Sequence, residues 1–194
     1  TAIEAAVAAR SLSAMRAERA IAETLYAKLN KARSLGDPNS LIDKLEQALF
    51  AGKIAAYAQG FAVLEAASKE FSWNLPMATI ARIWRAGCII RSQFLDTIAT
   101  AYEENKGLAS LLVAPAFVAM MQAATPALRH IVARGAQDAL PLPALSSALS
   151  YFDSYRQARG TANLIQAQRD YFGAHGFERL DSPGMFHGPW GGAQ

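Results

Sequence analysis

A single cysteine, Cys88, is all the thiol chemistry in this chain of 194 residues, which excludes a disulfide framework within the chain and any four-cysteine zinc site. The expected setting is reducing and cytoplasmic. The three histidines, His130, His175 and His187, offer no close pair with metal-ligand spacing, so no metal is expected. Charge is sparse at 18% of residues, with 19 basic against 16 acidic side chains and a net charge of +3. Although the isoelectric point is near 9.1, the basic residues are spread along every helix and alternate with acids, so no nucleic-acid partner is expected. No stretch approaches the roughly 20 consecutive apolar residues that cross a bilayer, and Thr1 to Arg10 lacks a charged segment followed by an apolar run. No membrane partner is expected either. There is no Gly-x-Gly-x-x-Gly turn and no Gly-Lys-Ser/Thr loop, which leaves the chain without a nucleotide-binding site of its own. Runs of β-branched residues bounded by two-residue turns are also missing, so no hairpin is predicted.

What is abundant is apolar and helical. Hydrophobic residues make up 52% of the chain and alanine about a fifth, in segments with helical spacing. The fold class expected is all-α. A first helix is predicted over Thr1 to Asn30, broken by Gly36, Asp37 and Pro38. Ser40 is read as the N-cap of a second helix through Phe71, with Leu41, Leu45, Leu49, Ile54, Tyr57, Phe61 and Leu64 recurring at three to five residues. A third follows Asn74 and Pro76 and is interrupted at Ala86 and Gly87, and a fourth covers Ile90 to Glu104. Pro115 starts a fifth towards Gln137, with Pro126 as a candidate kink. A sixth runs from Leu145 to Arg159 and a seventh from Asn163 to Phe172. The end is punctuated by glycine and proline yet keeps Phe177, Met185, Phe186 and Trp190, which a purely disordered tail would not. This tail is expected to pack on its own domain or on a partner subunit.

Candidate chemistry concentrates at the end of the last helix. Arg169 presents a fixed fork of donors suited to phosphate or carboxylate, and His175 or His187 can add a donor beside it. The plainer alternative pairs Arg169 with Asp170 or Glu178 and leaves His175 as a cap. In the segment Ile83 to Leu95, Arg85 and Arg91 could hold an anion and Cys88 could react, but packing explains Trp84, Gly87 and Cys88 better, with no base visible beside the thiol. Lys53 and Tyr57, four apart, share a helix face and line a cleft or snorkel from a packed surface.

Three runs carry a resemblance: 53–61, KIAAYAQGF; 84–92, WRAGCIIRS; and 163–175, NLIQAQRDYFGAH. With Ser146 to Arg156 and the ending Gly184 to Trp190, they resemble the C-terminal domain of decarboxylating 6-phosphogluconate dehydrogenases over essentially the whole chain. The resemblance implies a multi-helix dimerisation domain over residues 1–175, and a tail over 176–194 that packs on the partner subunit of a cytoplasmic homodimer. It implies oxidation of 6-phosphogluconate at C3 with NADP, or NAD in some members, and decarboxylation to ribulose 5-phosphate, in the pentose phosphate pathway and gluconate utilisation. It further implies that Arg169 and His175 enter the partner's active site and bind substrate, Arg169 at the phosphate.

The family's catalytic lysine and glutamate, its dinucleotide-binding domain and its Lys-Gly-Thr-Gly-x-Trp motif lie upstream of the matched region. The 194 residues are therefore expected to be a fragment, inactive alone, with no catalytic residue, cofactor-binding residue or metal ligand of their own. Ala22 stands where the family usually carries a substrate-binding arginine, with Arg19 one turn away as a substitute. Thr161 and Gly176 replace the more usual proline and threonine around the strongest motif. The alternative is a non-catalytic helical module for dimerisation or ligand binding.

Overall fold

The computed structural model describes residues 1–29, 37–87, 89–90 and 92–190. Among these, eight α-helices and one two-stranded ribbon form: α1 (Ala2–Ala14), α2 (Arg16–Leu25), α3 (Pro38–Glu70), α4 (Met77–Gly87), α5 (Phe94–Glu104), α6 (Pro115–Gln137), α7 (Pro143–Tyr155), α8 (Ala162–Gly173), β1 (Phe177–Glu178) and β2 (Met185–Phe186). A 3₁₀ turn, Leu111–Val113, precedes α6. The chain groups into two compact units, Thr1–Tyr151 and Phe152–Gln194.

In the first unit, α3 packs along α6 and α4 packs against α5. Small residues on α3, Ala48, Ala51, Gly52, Ala55 and Ala58, are buried and permit close approach. At Gly52 a Cβ would lie 2.7 Å from Leu145 Cδ2, so the glycine admits that side chain. The large core residues form two aromatic groups. Phe61 meets Trp84 edge-on and stacks on Tyr102, each at 5.4 Å between centroids. Phe94 gathers Phe50 at 5.8 Å, Tyr57 at 5.7 Å and Phe117 at 5.2 Å. Phe61 and Phe117 are fully buried, where ring area and edge-to-face geometry both contribute.

Several boundaries differ from those predicted. The first helix divides at Met15, next to two serines whose hydroxyls donate back to the helix, Ser11 Oγ to the Val7 carbonyl (3.1 Å) and Ser13 Oγ to that of Arg10 (2.7 Å). The N-cap of α3 is Asp37, not Ser40: its carboxylate accepts the N–H groups of Asn39 and Ser40, each at 3.2 Å, with Pro38 in the first turn. The fourth predicted helix starts four residues late, at Phe94. The Ile90 carbonyl accepts from Tyr57 Oη at 2.7 Å, and Ser92 Oγ meets Lys53 Nζ at 3.3 Å. The polar pair on α3 therefore ties down the connection from α4 to α5. Asn30, Gly36, Cys88 and Arg91 lie outside the described residues. Helix α6 runs unbroken through Pro126.

The hairpin excluded by pattern exists in miniature. In the second unit, Phe177 pairs with Phe186 and Glu178 with Met185 in antiparallel register. Two residues per strand are too few for alternation to register in a sequence, and the ribbon is held by side-chain anchors rather than by its ladder.

Candidate functional site

Helix α8 delivers the candidate site through the way it ends. Ala174 takes the left-handed conformation, φ 48° and ψ 38°, and its N–H donates to the Asp170 carbonyl at 2.8 Å. This reverses the chain and brings His175 back over the last turn. There Arg169 Nη2 hydrogen-bonds His175 Nε2, and Arg169 Nη1 donates to Gln166 Oε1 at 3.4 Å. A guanidinium can only donate, so Nε2 is the acceptor and the ring proton of His175 sits on Nδ1. Arg169 and His175 are both exposed. They form a compact donor group for an anion, with the planar fork of the arginine suited to phosphate.

The ion pair between Arg169 and Asp170 offered as the alternative is not formed. Asp170 is only 2% exposed and collects four donors from the tail. Its Oδ1 accepts the Gly176 N–H at 2.8 Å and meets His187 Nδ1 at 2.6 Å, while Oδ2 accepts the Gly188 N–H at 2.8 Å and Trp190 Nε1–H at 2.6 Å. Burial would raise its pKa, but the hydrogen bonds from Gly188, Trp190, His187 and Gly176 outweigh it and hold the carboxyl well below the usual carboxylate range. Trp190 also meets Tyr171 edge-on at 5.9 Å. The tail thus packs on its own helix, while Leu180 and Met185 remain exposed at 78% and 59%. Sequence reasoning named Asp170 only as a neighbour for Arg169 and missed this role.

The second place marked by the sequence, around Ala22, belongs to the first unit. Arg19 and Ala22 line a cleft of about 680 Å³ with Arg16, Glu23, Tyr26 and Asp138. Arg16, one turn before Arg19, went unremarked although the spacing of three puts both on one helix face. Arg85 is held by Asp96 at 2.8 Å, and Trp84 packs on Phe61, so this segment bridges α4 to α5. His130 is exposed on α6. No described helix is long and apolar enough to cross a membrane.

The fold is an all-α domain with an exposed, hydrogen-bonded arginine and histidine at the end of its last helix. The 6-phosphogluconate dehydrogenase C-terminal domain family matches residues 1–190, and the chain belongs to that family. It is 48% identical over 188 residues to the decarboxylating 6-phosphogluconate dehydrogenase of Salmonella typhimurium, covering 97% of this chain and 40% of that protein. The Staphylococcus aureus (strain N315) enzyme of the same name is 47% identical over 192 residues, covering 98% of this chain and 40% of its own length. Among solved structures, Plasmodium falciparum 6-phosphogluconate dehydrogenase, described apo, with its cofactor NADP+ and with its substrate 6-phosphogluconate, superposes with a TM-score of 0.87 at 40% identity, over 96% of this chain and 40% of that one. The chain thus spans about two-fifths of the length of these relatives.

Proposed function

We propose that the chain is the substrate-binding and dimerisation part of a decarboxylating 6-phosphogluconate dehydrogenase, a cytoplasmic homodimer that converts 6-phosphogluconate and NADP to ribulose 5-phosphate, carbon dioxide and NADPH. The observation that carries this is the exposed Arg169 and His175 pair at the end of α8, in a chain that belongs to this family. Arg169 binds the substrate phosphate through charge-assisted hydrogen bonds, and His175 adds a second donor through its ring N–H. Both act in the active site of the partner subunit, and the apolar residues that the tail leaves exposed, Leu180 and Met185, pack on that subunit. The pair holds the substrate phosphate, away from the reacting C3, equally in ground and transition states, so its contribution falls on KM more than on the chemical step.

The described strands are two residues each, so the strand, glycine-rich turn and helix N-terminus of the doubly wound dinucleotide fold are not formed among the described residues. The chain spans about two-fifths of its relatives' length, and alone it is expected to be inactive. Titrating full-length protein with 6-phosphogluconate, as wild type and as Arg169→Ala, tests the reading. Loss of affinity on substitution supports it, and identical affinity removes Arg169 from the site. Ala22 favours a second reading, a helical module that kept the fold and lost the substrate site. Under that reading the full-length protein does not bind 6-phosphogluconate at all.

A further inference from the structure

Asp170 stands between the candidate ligand Arg169 and an aromatic residue, Tyr171, in the last turn of α8, yet it is the residue of that turn buried from solvent. A carboxylate is expensive to bury and is kept only where donors surround it. Here two donors reach each oxygen, all from residues 176 to 190. The first, the Gly176 N–H, immediately follows His175. The residue immediately before His175, Ala174, donates its own N–H to the Asp170 carbonyl at 2.8 Å. His175 is therefore suspended between two backbone bonds to a single residue, and that residue is the neighbour of Arg169.

The other three donors close the far end of the tail on the same carboxylate. The backbone is shaped for this. Gly176 has φ +78°, where a Cβ would also lie 2.8 Å from Met185 Cε, and at Gly188 a Cβ would lie 2.2 Å from the Trp190 ring. Glycine at both positions lets the chain come close enough to present its N–H groups.

We infer that Asp170 is a positioning residue for substrate binding: by clasping Gly176, His187, Gly188 and Trp190 it sets the turn that holds His175 against Arg169, so closure of the tail and assembly of the anion-binding pair are one event. This rests on the reading that Arg169 and His175 bind 6-phosphogluconate. It adds that residues with no contact to substrate, Trp190 and His187 among them, govern its affinity. Replacing Asp170 by asparagine keeps the size but exchanges one oxygen for an NH₂ group that cannot accept, which leaves two of the four donors facing a donor.

The test uses the full-length dimeric enzyme and steady-state kinetics for 6-phosphogluconate and NADP separately. Asp170→Asn is expected to raise KM for 6-phosphogluconate by about tenfold or more, as displacement of a positioned ligand by a fraction of an ångström to 1 Å does, with KM for NADP unchanged. Trp190→Phe, which keeps an aromatic ring of smaller size and deletes one donor, is expected to raise the same KM by a smaller factor and guards against a misfolded Asp170 variant. In a variant already carrying Arg169→Ala and His175→Ala, adding Asp170→Asn should raise KM no further, because Asp170 acts only through that pair. If Arg169→Ala weakens substrate binding while Asp170→Asn and Trp190→Phe do not, the positioning role is overturned and the site reading stands. If Arg169→Ala has no effect, the site reading itself fails. A further increase in that triple variant would also overturn the inference, since a merely structural role adds.

Discussion

Two helical glycines should respond in opposite directions to the same methyl group. Gly60 lies inside α3, and a Cβ built there meets nothing within 4 Å. Glycine in a helix interior costs about 0.5–1 kcal/mol relative to alanine through backbone entropy, so Gly60→Ala should stabilise the chain by that amount. Gly135 lies near the end of α6, where a Cβ would sit 2.6 Å from Leu142 Cδ1, 3.1 Å from its Cγ and 3.0 Å from the Leu140 carbonyl oxygen. Carbon atoms prefer about 3.5–4.0 Å, so the overlap with Leu142 is near 1 Å. The Leu140 oxygen belongs to backbone pinned by its own N–H, which donates to the Gly135 carbonyl at 2.8 Å. Overpacking of this kind costs about 1–3 kcal/mol against an entropic gain of about 0.5–1 kcal/mol, and with backbone among the contacts the net for Gly135→Ala is a loss of up to about 2.5 kcal/mol. The variants should differ by about 2 kcal/mol, or about 1 M in urea midpoint at a slope near 2 kcal/mol per molar. Circular dichroism at one fixed protein concentration reads both midpoints, since association would shift them. A Gly135→Ala midpoint at or above wild type would refute the packing argument. Gly52→Ala should fall between the two, because its only neighbour is the free end of Leu145.

Truncating Phe117, which is fully buried against Phe94, should lower the stability of the first unit by about 3–5 kcal/mol, and a urea midpoint within error of wild type would show that the site collapses freely. Burial, with the nearby Glu65 charge added, pushes the Tyr102 phenol up to about 12. Its folded value lies above its unfolded value near 10, so the stability it contributes is complete below pH 10 and lost as pH rises towards 12. Tyr102→Phe should therefore flatten the stability curve across pH 10 to 12, and an unchanged slope there contradicts the assignment. Asp170 runs the other way: its folded value is depressed, so its contribution is present above its unfolded value near 3.8 and lost only as pH falls further. Acid unfolding of Asp170→Asn should be less steep below pH 4 than that of wild type, as read by Trp190 fluorescence in a chain whose other tryptophans are changed to phenylalanine. Arg19→Ala, in the cleft beside Ala22, should raise KM for 6-phosphogluconate by about tenfold in the full-length enzyme if this arginine meets the substrate. An unchanged value assigns Arg19 to the surface.

Why the helices could be read and the clasp could not follows from where each is encoded. The recurrence of Leu41, Leu45, Ile54, Phe61 and Leu64 is a property of neighbours in sequence, and α3 needed only its cap corrected from Ser40 to Asp37. Asp and Ser both cap, and the choice falls to whichever side chain finds two N–H groups once Pro38 has set the first turn. The break at Met15 left no glycine or proline behind. After α8, Gly173 and Gly176 mark that the helix ends, but the left-handed residue is Ala174 between them, at a cost of roughly 1–2 kcal/mol, so the point where the chain reverses carries no sign of its own. Without that reversal, the nearest cation to Asp170 is Arg169, and an ion pair is the natural reading. With it, His175 returns to Arg169 and the carboxylate turns to four donors as far as twenty residues away. Arg169 and His175 could thus be named from sequence as a pair, but what holds them as one lies in a fold-back whose only sequence trace is the spacing of Gly176, His187, Gly188 and Trp190. The cost of Ala174 is then a measure of the clasp. A residue held in a disfavoured conformation persists only where other contacts over-determine it, and Asp170 supplies those on both sides of His175.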